Sequence, residues 1–293
     1  MPASPSESHL VRLIVSCPDG PGIVAAVAAL LRDAGANIIT SDQYTTAETG
    51  GHFFMRVEFA PAQGGEYAQP ELARIEELFA EQVARRYGMR FRIWPAHTRK
   101  RVGILVSRED HCLLDLLWRW RRGELPIDVV LVASNHADLR TDVESFGVPY
   151  HHVPVDPVAK PQAEARLLEL LAGVDLVILA RYMQILTGEF LDRLGVPVIN
   201  IHHSFLPAFA GARPYEQARA RGVKLIGATA HYVTAELDAG PIIEQDVVRV
   251  SHRDDGADLE RYGRDIERTV LARAVIWHCE DRVATFDGRT VVF

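Results

Sequence analysis

The sequence predicts an α/β protein of two domains. An N-terminal ferredoxin-like βαββαβ unit is followed by a Rossmann-like, mostly parallel α/β unit. Three observations carry this prediction. The chain has 293 residues, about twice the ~150 of a typical domain. Short apolar runs alternate with helical stripes from end to end, but their order changes past the first third. A polar, basic stretch, Pro95-Ala-His-Thr-Arg-Lys-Arg101, divides the two rhythms. We therefore place the domains at 9–95 and 102–293, with a linker at 96–101.

The first unit opens with the aliphatic, β-branched run Leu10 to Ser16, a strand. Pro18-Asp19-Gly20-Pro21-Gly22 interrupts it, and Asp19 or Gly20 is placed to cap the helix that follows. Ile23, Val24, Val27, Leu30 and Leu31 form one apolar helical stripe, stopped by Gly35. Asn37 to Thr46 and His52 to Phe59 read as strands joined around Thr49-Gly50-Gly51. Leu72, Ile75, Phe79 and Val83 mark a second helix, closed by Gly88 before the strand Met89 to Trp94. That order is the split-βαβ arrangement.

Beyond the linker, strands are expected at Val102 to Val106, Ile127 to Ala133, Tyr150 to Val153, Asp175 to Leu179 and Val198 to Ile201. Helices separate them around 113–122, 137–146, 162–171 and 188–194. Short aliphatic strands alternating with helices imply a parallel sheet covered on both faces. Lys224 to Val233 and Pro241 to Val250 read as paired strands. Leu259, Tyr262, Ile266, Val270, Ala274 and Trp277 then stripe one long helix.

Composition excludes several function classes. Lys and Arg number 32 against 39 Asp and Glu, a net charge of −7, which argues against nucleic-acid binding. The basic clusters at Arg119, Arg121 and Arg122 and at Arg99-Lys100-Arg101 read as a solvated helix face and the linker. No apolar run approaches the roughly 20 residues that span a bilayer, so no membrane partner is expected. Residues 1–9 lack the apolar core of a secretory signal. Cys17, Cys112 and Cys279 are far apart, which disfavours a disulfide framework or a zinc site. The expected setting is the reducing cytoplasm.

Two segments carry candidate chemistry. In Val198-Ile-Asn-Ile-His-His-Ser-Phe-Leu-Pro207 an apolar strand ends in polar residues, where open α/β sheets place their sites. Alternation along the strand puts Asn200, His202 and Ser204 on one face and turns His203 away. An amide donor beside an imidazole suits an oxyanion, although either histidine taken singly fits a structural role. The second segment, Gly227-Ala-Thr-Ala-His-Tyr-Val233 followed by Glu236-Leu-Asp-Ala-Gly-Pro241, sets Asp238 in a sharp loop between strands. Alone it is a turn aspartate. Beside His202 it would hold the imidazole charged or take a proton from water.

Together, Asn200-Ile-His-His-Ser-Phe-Leu-Pro207 and Leu237-Asp-Ala-Gly-Pro241 closely resemble the folate-dependent formyltransferase-fold family. The resemblance assigns that family's catalytic Asn, His and Asp to Asn200, His202 and Asp238. It implies that 10-formyltetrahydrofolate is bound as substrate, with no separate cofactor and no metal. Its pterin would lie against main chain near Met183, Gln184, Ile185 and Leu186 and the loop bearing Gly240, with His203 nearby.

The N-terminal turn poses its own question. By spacing alone, Asp19-Gly20-Pro21-Gly22 is a tight turn with a helix cap, though a carboxylate could dock on the free N–H groups. Cys17-Pro-Asp-Gly-Pro-Gly-Ile-Val-Ala-Ala-Val27 with Gly35-Ala-Asn-Ile38 resembles the ACT domain, a regulatory module. That resemblance implies an effector site at Asp19, Gly20, Gly22 and Asn37. It also implies an amino-acid effector, methionine or glycine, and a homo-oligomer formed by paired copies.

Over its whole length the chain is similar to those family members that join an ACT domain to a hydrolase domain. The resemblance then implies hydrolysis to formate and tetrahydrofolate, balancing one-carbon pools and supplying formate for purine synthesis. Three details agree: His203, at a position often proline in the ribonucleotide formyltransferases; the segment Gly211-Ala-Arg-Pro-Tyr215 with the run 227–233; and the acidic loop Ser107-Arg-Glu-Asp-His-Cys112 in place of a phosphate cradle. Lys160, Arg181 and Arg213 are candidates for the folate's glutamate tail. The rival readings are a formyltransferase with an amine acceptor and a non-catalytic amino-acid sensor.

Overall fold

A computed structural model of the chain describes residues 9–156, 158–207 and 214–293. It forms two compact units, Met1–Thr98 with Glu280–Ala284 and Val291–Phe293, and Arg99–Cys279 with Thr285–Thr290. The segment 211–213, including Arg213, lies outside the described residues, as do residues 1–8.

The first unit runs β1 (Val11–Pro18), α1 (Ile23–Asp33), β2 (Ala36–Thr45), β3 (His52–Pro61), α2 (Gln69–Phe79), α3 (Arg85–Tyr87) and β4 (Arg90–Pro95). Its antiparallel sheet has the order β2-β3-β1-β4, as the split-βαβ arrangement requires. The helical stripe works as read: Ile23, Val27, Leu30 and Leu31 are buried with Leu13, Val15, Phe59 and Phe79. Val24 of that stripe is instead exposed. The second helix is less regular than expected, because a π-helical turn, Ala80–Ala84, joins α2 to α3 and buries Val83 and Ala84. The cap of α1 also differs. Gly22, at φ 88°, is its N-cap, while Asp19 accepts bonds from Gly20 N and Thr45 Oγ1 within the turn.

The second unit runs β5 (Lys100–Val106), α4 (His111–Arg122), β6 (Ile127–Ser134), α5 (Arg140–Ser145), β7 (Tyr150–His152), α6 (Lys160–Leu170), β8 (Leu176–Ala180), α7 (Gly188–Leu194) and β9 (Val198–His202). There follow α8 (Pro214–Ala220), β10 (Leu225–Tyr232), β11 (Ile242–Arg249), the long helix α9 (Gly256–Cys279), and a hairpin of β12 (Val283–Phe286) and β13 (Arg289–Val292). Lys100 and Arg101, read as linker, are the first residues of β5. Arg101 N is fixed there by Asp175 Oδ2 at 2.7 Å.

The seven-stranded sheet has the order β11-β10-β9-β8-β5-β6-β7, parallel from β9 to β7 and antiparallel at β10 and β11. All five residues of β8 are buried, as expected of a strand covered on both faces. The chain builds outward from β5 to β7 and then returns to lay β8 on the other side of β5. At such a reversal the loops after neighbouring strands diverge and open a crevice. Among the described residues no helix is long and apolar enough to cross a membrane.

Candidate active site

The crevice lies at the carboxyl ends of β5, β8 and β9 and forms a cavity of about 640 Å³ within the second unit. Ser107, just past β5, stitches its walls together. Its Oγ accepts from Met183 N at 2.9 Å and donates to Asn135 Oδ1 at 2.7 Å, and its N–H reaches Arg181 O at 3.2 Å. The far end of the Arg181–Leu186 segment is held by Thr187, which caps α7 and bonds Glu164 through both N and Oγ1.

The three candidate catalytic residues meet in this cavity. Nδ1 of His202 is 3.3 Å from Oδ2 of Asp238. Nε2 of the same ring is buried and has no hydrogen-bond partner among the described residues. Asp238 lies at φ 55°, a left-handed conformation that aspartate tolerates better than most residues. The loop that aims it is drawn tight by Tyr232 N donating to Pro241 O at 2.9 Å. A Cβ on Gly240 would sit 1.8 Å from Tyr232 O, so only glycine permits this closure. Gly240 borders a neighbouring cavity on the other side of the loop and does not line the catalytic one.

Asn200 is oriented by a residue to which sequence reasoning gave no role. His231 stands directly opposite it in the β9–β10 register, with Nε2 3.2 Å from Asn200 Nδ2. Nδ1 of His231 lies 2.9 Å from Tyr232 O and can only donate there, which leaves Nε2 as the acceptor for the amide. Burial pushes the His231 pKa down, keeping the ring in this neutral tautomer, although Asp238 lies 3.7 Å away. The signal was available: a histidine on a strand paired with the Asn-bearing strand falls on the same face.

Two expectations about side-chain direction fail because β9 ends at His202 and strand alternation ends with it. His203 lines the cavity, its ring stacked on His202 with centroids 5.3 Å apart. Burial, reinforced by the Arg181 guanidinium, pushes the His203 pKa down to about 4, so this ring is neutral. Ser204 is buried outside the cavity lining, and its carbonyl accepts from Thr229 Oγ1 at 2.9 Å.

The cavity has two contrasting ends. Met183, Ile185 and Leu237 are exposed apolar side chains along one, beside Gln184 and Leu186. Glu109, His111, Arg181, Glu260, Arg264 and Glu267 line the other. Glu267, almost fully buried on α9, is 2.8 Å from His111 Nε2 and 3.5 Å from Arg181 Nε. Of the glutamate-tail candidates, Arg181 belongs to this charged end and Lys160, at the start of α6, is not in the lining.

In the first unit, Gly20 and Gly22 flank the entry to α1, and Asn37 is exposed on the edge strand β2, paired with Ala60. Asp19 is engaged within the turn, as described.

Comparison with known proteins agrees with both units. Residues 100–275 match the formyl transferase family, and residues 11–76 match the ACT domain. The chain is 56% identical over 286 residues to a formyltetrahydrofolate deformylase of Mycobacterium bovis, covering 96% of this chain and 90% of that protein. It is 51% identical over 284 residues to the Bacillus subtilis protein of that name, covering 96% and 93%. A crystal structure of a formyltetrahydrofolate deformylase from Pseudomonas syringae superposes with a TM-score of 0.91 at 50% identity, over 97% of this chain and 94% of that one.

Proposed function

The chain belongs to the formyltetrahydrofolate deformylase family, and on that premise we propose how its residues hydrolyse 10-formyltetrahydrofolate to formate and tetrahydrofolate. The observation that carries the mechanism is the buried Nε2 of His202, without a hydrogen-bond partner among the described residues, beside Asn200 and backed by Asp238.

A formamide carbonyl is a poor electrophile, so its oxygen must be stabilised as it becomes an oxyanion. The Asn200 amide and the Nε2–H of His202 supply donors to that oxygen. With Nδ1–H also donating to Asp238, the His202 ring acts as an imidazolium. Asp238 accepts a proton from water as the water oxygen bonds to the formyl carbon. The tetrahedral intermediate then collapses, the bond from carbon to N10 breaks, and N10 leaves with the proton that Asp238 returns. Formate and tetrahydrofolate result. Electrophile and base are both side chains of this site, so the proposed reaction draws on no metal and no cofactor.

The apolar side chains Met183, Ile185 and Leu237 suit the flat pterin, and main-chain groups of the 183–186 segment along the cavity would meet its polar edge. Gly240 contributes by shaping the Asp238 loop. The test is purified protein with 10-formyltetrahydrofolate and water as the only acceptor. Stoichiometric formate is expected, and its absence would favour an amine-dependent transferase.

For the ACT unit, we infer an amino-acid effector, methionine or glycine, at the turn where Gly20 and Gly22 lead into α1. We also infer a homo-oligomer; the support is β2, an edge strand exposing Ile39 and Tyr44. Calorimetry with each amino acid, together with light scattering, tests both.

A further inference from the structure

Arg181 occupies a backbone position that ordinary side chains avoid. Its φ is 64°, in the left-handed region, which is strained for a bulky residue. Its guanidinium is nevertheless drawn inward, with Nε and Nη1 buried and hydrogen-bonded to nothing among the described residues. The nearest counter-charge is Glu267 at 3.5 Å, itself 2.8 Å from His111. A second pair, Arg264 and Glu109 at 3.3 Å, lines the same end of the cavity. A strained, desolvated cation beside a buried carboxylate is expensive, and a solvated loop would not retain it.

The position of this cluster suggests its use. His203 stacks on His202 and feels both Arg181 and Glu267, so the charged end abuts the reacting trio. With the folate against the apolar side chains, the charged cluster beside His203 borders the space in which a nucleophile meets the formyl carbon. Water fits among buried polar groups, whereas a primary amine with its substituents needs open volume there.

We propose that the Arg181–Glu267–His111 cluster fills the acceptor side of the cavity and restricts the nucleophile to water. This rests on the hydrolytic reading above, and it makes Arg181 a specificity-determining residue. With the cluster opened, an amine nitrogen would bond to the formyl carbon in place of water. The bond to N10 would break, N10 would leave with the proton lost by the amine, and a formylated amine would form.

The experiment measures the ratio of formylated amine to formate when 10-formyltetrahydrofolate is mixed with glycinamide, for wild type and Arg181→Gly. Glycine suits the left-handed backbone and leaves the space empty. Should loss of the Arg181 charge beside Glu267 unfold that variant, Arg181→Gly with Glu267→Gln removes both charges, and a thermal melt establishes that it folds. The wild type is expected to give formate with at most a trace of formylated amine, and the opened variant a ratio at least about tenfold above that trace or its detection limit. A folded variant that still hydrolyses but formylates no glycinamide overturns the proposal and leaves the hydrolase reading intact. A wild type that formylates glycinamide as readily as the variant overturns it too. A wild type that releases no formate overturns the hydrolase reading itself.

Discussion

Nδ1 of His202 stands 3.3 Å from Oδ2 of Asp238, and the pairing leaves Nε2 of the same ring buried and free to meet an oxygen. The contact joins the end of β9 to a loop between antiparallel strands, so the site exists only once both parts of the sheet are assembled. The bond from His202, working against partial burial, holds the Asp238 carboxyl below its usual value of 3.8. A depressed folded value contributes stability that is present above the unfolded pKa and lost as pH falls through the folded one.

Asp238→Asn removes both the base and the partner of the imidazolium. Turnover is expected to fall by about 10²–10⁴-fold. Acid melts should also show the variant losing less stability than the wild type as pH drops below the usual aspartate value. A variant with unchanged turnover at saturating folate would remove Asp238 from the proton-transfer role.

Asn200→Ala deletes an oxyanion donor, and turnover should drop by about 10²–10³-fold, with a smaller change in folate binding. His231 only aims that donor. His231→Leu is expected to cost about ten- to a hundredfold in turnover through misplacement, and His231→Gln, which keeps an acceptor, should recover part of the loss. Steady-state kinetics with separate kcat and KM decide this. Equal losses in Leu and Gln variants would contradict the orienting role.

These residues also show what sequence can and cannot convey. That Asn200, His202 and Asp238 come together was expected from the resemblance of their two motifs to the formyltransferase-fold family; read alone, Asp238 was a turn aspartate. His231 was missed because its role depends on β10 lying antiparallel to β9, a long-range register. Ser204 and His203 were misdirected because alternation was extended past the strand's last residue. In the fold, periodicity located the regular elements but gave no warning of the π-turn at Ala80–Ala84, which preserves the helical pattern while inserting a residue. The β12–β13 hairpin was overlooked although Asp287-Gly288, at φ 47° and 70°, is a strong turn signal. Its strands are only four residues each and lack an apolar run.

His203 offers a pH test independent of turnover. Its folded pKa of about 4 lies below the ordinary 6.5 because of burial and Arg181, with His202 adding to the shift and Glu267 and Asp238 opposing it. The unfolded chain therefore takes up this proton first, and stability declines as pH falls from about 6.5 toward 4. His203→Gln has no such proton to take up. Between pH 7 and pH 5 its melting temperature should fall less than that of the wild type. Parallel curves would show that His203 is not buried neutral in the folded protein.

The final prediction concerns the first unit, where the end of the chain is tied to the opening strand. Arg12 of β1 is 7% exposed and lies 2.9 Å from Glu58 and 2.7 Å from Asp281. Burial pushes the Glu58 pKa up, but Arg56 and Arg12 outweigh it and hold the carboxyl ionised below its usual value. Arg12→Met leaves Asp281 without this cation while Glu58 keeps Arg56 at 2.7 Å. Breaking this buried pair is expected to cost up to about 3 kcal/mol, less where Asp281 keeps its other contacts. Arg12→Lys, which keeps the charge but loses the two-sided fork, should fall between the two. Because Asp281 anchors the segment 280–284, trypsin should cut after Arg282 sooner in the Met variant. The kcat of the folded protein should hold, since Asn200, His202 and Asp238 all lie in the other unit. Denaturant melts and timed digestion check both points, and a Met variant as stable and as resistant as the wild type would show that Arg12 does not fasten the C-terminal segment.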